Sequence, residues 1–180
     1  RSTLFPYTTL FRSLFIAEIR SAGFAGDGNA ATEPAVQVMS DLGLDIRNHE
    51  SRLLTAELID QSDLVVGLAR EHVRETVLLV PNAFGRTFTM KELVRRGTEA
   101  GPRRIDEPLD AWLARLHEGR TMFMHLGTSP DDVEDPIGRR PAVYERVADE
   151  LAVLVDAIVE LAWTVDGEPV PPDSSELAAT

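Results

Sequence analysis

The stretch Val133-Glu134-Asp135-Pro136-Ile137-Gly138 holds the residue types best placed to do chemistry. Proline fixes its own φ, biases Asp135 toward an extended backbone and gives up a donor, while Gly138 tolerates positive φ. The stretch therefore reads first as a turn. The same geometry holds a carboxyl group out on a rigid loop rather than on a helix face. Glu134 is expected to point away from Asp135 along the extended turn and to be solvated. His49, in the polar run His49-Glu50-Ser51-Arg52, is the second candidate, and taken alone it reads as an ordinary loop histidine. Ser51 and Arg52 read as surface or capping residues. His72, His117 and His125 form no ligand spacing with carboxylates, so neither a metal site nor a cofactor is expected.

Length and charge bound what such a carboxyl could serve. The 180 residues suit one domain with a proper core. A net charge of -12 argues against a nucleic-acid partner, because the basic footprint is absent. Arg103-Arg104 and Arg139-Arg140 are local exceptions and are expected to be solvated. No run is long enough to span a bilayer and no signal-peptide pattern is present, so no membrane partner and a cytoplasmic location are expected. The sequence contains no cysteine, which removes disulfides and thiol chemistry from these 180 residues.

The elements that must position the acid follow from periodicity and punctuation. Arg1 to Ser13 (RSTLFPYTTLFRS) resembles a translated sequencing-adapter tail, and is expected to be a non-native segment. Leu14 to Arg20 alternates with period two and predicts a strand. The glycine-rich stretch Gly23–Asn29 lacks the lysine and hydroxyl of a P-loop and reads as a plain connection. Pro34 opens a helix with Thr32 as cap and Gly43 as stop, and its stripe Ala35, Val38, Met39 and Leu42 is expected to face a sheet. Thr55 caps a short helix through Ile59. Asp63 to Leu68 reads as a central parallel strand buried on both faces. A helix over 71–80 ends at Pro81, and Thr87-Phe88 is a brief strand.

Thr89 and Glu92 have the capping-box spacing, opening a helix expected to end near Gly97. Leu109, Trp112, Leu113 and Leu116 mark another amphipathic helix, stopped by Gly119. Met122 to Leu126 leads toward the acid loop, and a long apolar face runs from Tyr144 to Ala162. Residues 14–165 are thus expected to form one domain, with 166–180 a disordered tail. Strands alternating with helices make the fold class α/β, a mainly parallel sheet flanked by helices.

The order Ser21-Ala22-Gly23, the Pro34 helix running into Leu42-Gly43-Leu44-Asp45, His49 with Ser51-Arg52 and Leu54-Thr55, Asp63-Leu64-Val65-Val66, then Asp135-Pro136 before a long helix resembles the low-molecular-weight protein tyrosine phosphatase family. The resemblance implies that family's fold and the hydrolysis of a phosphotyrosine protein or a small phosphomonoester. In the family a first strand runs into a Cys-x5-Arg loop whose backbone N–H groups and arginine hold the phosphate and stabilise a nucleophilic thiolate. Asp135 then matches the general acid, and His49 a histidine that hydrogen-bonds the phosphate loop and holds its shape. The first strand and the phosphate loop have no counterpart here, so the chain as written is expected to be inactive.

Two rival functions share these residues. Arsenate reductases of the same fold begin with the same thiolate attack, but one relying on an internal disulfide relay needs cysteines that 54–79 lacks. A non-catalytic interaction module would keep the fold without the chemistry.

Overall fold

The computed structural model describes residues 18–24, 26–125, 130–165 and 168–169. The expected artefact at 1–13 therefore lies outside the described residues, as does most of the expected tail. Of the strand expected over Leu14–Arg20, only 18–20 are described, and they carry no strand.

Six helices surround a small sheet among the described residues: α1 (Glu33–Asp41), α2 (Ala56–Asp60), α3 (Arg70–Leu79), α4 (Met90–Ala100), α5 (Leu109–His117) and α6 (Pro141–Trp163). Strand β1 (Val65–Gly67) pairs parallel with β2 (Thr87–Thr89), in register Val66 to Phe88, with α3 between them in the chain. A parallel bridge joins Gly23 to Leu53. Thr164–Val165 and Glu168–Pro169 form a two-stranded antiparallel pair after α6 that the sequence reading did not anticipate. The fold is α/β, as expected.

Two caps form where the sequence places them. Thr55 Oγ1 accepts from the Leu58 N–H, and Thr89 Oγ1 accepts from the Glu92 N–H, each satisfying a first-turn donor. The Glu92 carboxylate receives Arg120 in two hydrogen bonds, Nε at 2.8 Å and Nη2 at 3.0 Å.

The main core lies between β2, α4, α5 and α6, where Phe88, Leu93, Trp112, Leu113, Leu116 and Ala162 are buried. Gly97 does not end α4. It lies inside the helix, where a Cβ would come within 2.9 Å of Leu161 and 3.3 Å of Trp112. The chain turns at Gly101 instead, with φ +84°, and the Gly101 carbonyl accepts from Trp112 Nε1. The α1 stripe covers α6 rather than a sheet: Val38 packs with Tyr144 and Ala148. Nor is β1 buried on both faces, since Val66 is 38% exposed.

Arg103 is not solvated. Its guanidinium donates to the carbonyls of Ala162 and Glu107, tying the 101–107 loop to the end of α6. Burial holds it below arginine's usual range, against the pull of the Glu107 charge. Among the described residues no helix is long and apolar enough to cross a membrane.

Arg120 also donates to the carbonyls of Thr87 and Phe84, and lies over the Phe84 and Phe88 rings. Its Nη1 is 3.1 Å from His117 Nδ1. Arginine has only donors, so Nδ1 is the acceptor and the imidazole is neutral. Burial, then the Arg120 and Arg96 charges, hold the His117 pKa below its ordinary 6.5, with Glu92 opposing. The unfolded chain therefore takes up this proton first as pH falls. The stability is complete above about pH 6.5 and is lost as pH drops through the lower folded value. Urea unfolding from pH 8 to pH 5 is expected to show this loss in the natural chain. In His117→Gln the same component of the slope should disappear, leaving the difference between the two chains constant above pH 7 and smaller below pH 6.

Candidate active site

Asp135 stands on an exposed turn whose shape its own side chain sets. Its Oδ1 accepts from the Ile137 N–H at 2.9 Å, and Gly138 closes the turn with φ +74°. The other carboxylate oxygen has no hydrogen bond from the described residues, and Ile137 beside it is 70% exposed.

What holds this turn in place lies just before it. Asp132 Oδ1 accepts from the backbone N–H of Arg70 at 2.8 Å, with Arg70 Nε at 3.4 Å. Arg70 is the first residue of α3, and Ala69 before it offers no side-chain cap. A carboxylate from 62 positions away thus supplies the cap and places negative charge at the positive end of the helix. One residue on, the Val133 N–H donates to the Leu68 carbonyl at 2.8 Å, just past the end of β1, and Val133 is buried. Lys91 on α4 donates to the Asp132 carbonyl and pairs with Glu150 on α6. Arg95 holds Asp131 at 3.0 Å, and that hydrogen bond raises the Arg95 pKa. Glu134 is not simply solvated, because it forms an ion pair with Arg146.

The acid loop is therefore fastened to the carboxyl end of β1, the end at which open parallel sheets bind ligands. Gly67 permits the tight entry into α3, since a Cβ there would lie 2.9 Å from His72 Cβ. His72 Nδ1 accepts from the Leu68 N–H, which fixes its ring beside Phe24. Sequence reasoning missed the roles of Arg70, Lys91 and Asp132. Only Asp132, three residues ahead of Asp135, carried a signal that could have been followed.

His49 stands apart from this loop. It is exposed, its N–H donates to the Ile46 carbonyl, and it borders a polar cleft with Arg20, Ser21 and Arg52. No hydrogen bond or ion pair among the described residues joins it to Asp135. Ser51 works within the glycine-rich stretch: its Oγ accepts from the Asn29 N–H and donates to the Gly26 carbonyl. Among the described residues no group of three or more His, Asp or Glu could hold a metal ion.

The family model described as low molecular weight phosphotyrosine protein phosphatase matches residues 11–125. A protein-arginine-phosphatase of Geobacillus stearothermophilus is 28% identical over 148 residues, covering 82% of this chain and 78% of its own. The crystal structure of a low molecular weight protein tyrosine phosphatase from T. tengcongensis superposes with a TM-score of 0.56 at 31% identity, covering 78% of this chain and 75% of that one. An arsenate reductase of Staphylococcus haemolyticus is 34% identical over 65 residues, 36% of this chain and 48% of its own. The family match ends ten residues before Asp135.

Replacing Asp132 removes the cap of α3 and one partner of Arg70, which is only 4% exposed. Asp132→Ala is expected to lower stability by about 1–3 kcal/mol, the usual cost of depriving a buried polar group of a partner. Urea denaturation measures it, with Asp131→Ala on the more exposed Arg95 pair as the milder comparison.

Proposed function

The chain belongs to the low molecular weight phosphotyrosine protein phosphatase family, and from that membership we propose that Asp135 is the general acid of phosphoryl hydrolysis. The observation that carries this reading is the attachment of the acid loop to the end of β1 through Val133 and Leu68, and to the start of α3 through Asp132 and Arg70. In the family reaction a cysteine thiolate attacks phosphorus and the bond to the leaving oxygen breaks. Asp135, entering as the acid, gives its proton to that oxygen. The resulting carboxylate then takes a proton from the water that attacks the cysteinyl-phosphate, restoring the acid. The exposed turn leaves the carboxyl accessible to a substrate while the residues before it stay anchored. His49 is assigned a supporting part, steadying the phosphate loop from across the polar cleft that it shares with Arg20 and Ser21.

The substrate class is a phosphorylated protein side chain or a small phosphomonoester. Phosphotyrosine is the reading that the family description favours. Phosphoarginine is a second reading, favoured because a relative that covers most of this chain is named an arginine phosphatase. The arsenate reductase match covers a much shorter part of the chain. The same proton donor serves either phosphoryl substrate, because both leaving groups depart more readily when protonated.

The 180 residues contain no cysteine, so the acid stands here without the nucleophile. The purified chain is expected to release no p-nitrophenol from p-nitrophenyl phosphate above background. Release should appear when a Cys-x5-Arg loop is supplied ahead of residue 14 and vanish when that cysteine is changed to serine. Turnover by the cysteine-free chain that is lost in Asp135→Asn would contradict the proposal, because another residue would then be acting as nucleophile.

A further inference from the structure

The turn that carries Asp135 folds straight back on itself. The Arg139 N–H donates to the Pro136 carbonyl at 2.9 Å, and Gly138 supplies the positive φ, +74°, that suits the third position of such a turn. The Cα atoms of Pro136 and Arg139 then lie within about 7 Å of each other. Arg139 and Arg140 thus stand on the same knuckle as the carboxyl group, and both are exposed. Neither guanidinium forms a hydrogen bond or an ion pair with any described residue; the hydrogen bonds at these positions are main-chain ones, to Pro136 and from Val143. Elsewhere the chain pairs its cations even at the surface: Arg47 with Asp45, Arg95 with Asp131, Arg104 with Glu107 and, just ahead of Asp135, Arg146 with Glu134. With 30 acidic residues against 18 basic ones, carboxylates are not in short supply. Two neighbouring arginines without one therefore mark a local reversal of the surface charge.

Helix stability does not account for them. Pro141, directly after them, opens α6, whose first turn carries no acidic residue. Cations at that end oppose the helix dipole, so they cost stability rather than add to it. We propose that Arg139 and Arg140 are specificity-determining residues that take the carboxylates flanking the phosphorylated residue of an acidic protein substrate. The inference rests on Asp135 as the proton donor, since a substrate must then pass over this turn. Long-range attraction is not what the pair supplies, because a net charge of -12 repels an acidic partner. Its contribution is short-range: each guanidinium can hold a carboxylate in a two-bonded fork. An acidic flank is thereby retained only where it lies beside the acid.

Peptide binding to the full natural chain tests this without any catalysis. The probe is a fluorescein-labelled peptide with glutamates on both sides of one tyrosine, and its counterpart carries glutamines in their place. Anisotropy titration is expected to show the glutamate peptide binding more tightly, with an affinity that falls as salt rises. Arg139→Gln combined with Arg140→Gln should weaken it roughly fivefold, the scale of two exposed charge pairs. Arg139→Lys combined with Arg140→Lys should recover part of the loss, and Arg47→Gln, at a cation already paired, should change nothing. The glutamine double variant should resist urea at least as well as the natural chain, which separates lost binding from lost fold. Equal affinity for the two peptides, or affinity unchanged in the double variant, would overturn the proposal. So would affinity that rises with salt, which would leave the overall negative charge in command, or a double variant that unfolds more easily, which would make the pair structural. The peptide carries no phosphate and Asp135 donates no proton in this assay, so such a failure would leave its role as general acid untouched.

Discussion

The burial of one guanidinium constrains much of this fold. The Arg120 side chain is fully inaccessible, and its donors reach a carboxylate on α4, carbonyls at Thr87 and Phe84, and the ring of His117 at the end of α5. A charge in such a place is tolerated only when its partners are all present, because removing one leaves an uncompensated buried ion. α4, α5, β2 and the 3₁₀ turn Pro81–Arg86 that leads into β2 must therefore assemble together. β2 fixes β1 by pairing, and β1 runs directly into Leu68, whose carbonyl receives the acid loop. The position of Asp135 is thus inherited from a core pair on other elements. Lys91 adds a second route from the same helix as Glu92, running straight from α4 to the backbone of Asp132.

Local chemistry was legible in the sequence, and distant pairing was not. Thr55 and Thr89 announce their caps because a cap is decided within four residues. Pro34 with Gly43, and the stripe from Trp112 to Leu116, likewise locate α1 and α5. Asp135-Pro136 could be read as a rigid turn because proline and glycine act on their own backbone. The Glu92 and Arg120 pair lies 28 positions apart and the Asp132 cap 62, so neither leaves a local pattern. Gly97 misled for a related reason. A glycine inside a helix looks like a stop unless the neighbour that needs its missing Cβ is known, and that neighbour is Leu161 on α6. Arg103 looked solvated because the carbonyls that take its protons belong to α6 and to Glu107.

Family membership and site geometry bear on different parts of the function. The family match over 11–125 and the solved relatives give the fold and the phosphatase class. The family match stops short of the acid, whose role rests on its turn and its anchoring. A rigid anchor before an exposed carboxyl suits a group that must meet a substrate oxygen within hydrogen-bond reach while its own backbone stays fixed. His49 carries less of the account, since its geometry shows a turn and a polar cleft, and no hydrogen bond or ion pair among the described residues ties it to the acid loop.

The central claim is that Asp135 donates the proton to the leaving group, and its most direct measurement is a leaving-group comparison. In a chain provided with a Cys-x5-Arg loop, Asp135→Ala should lower kcat by about 10²–10⁴-fold for an aryl phosphate with a poor leaving group. For one with a good leaving group the loss should be far smaller, because that oxygen departs without a proton. Equal losses on both substrates would contradict the account and leave Asp135 with only the turn to hold.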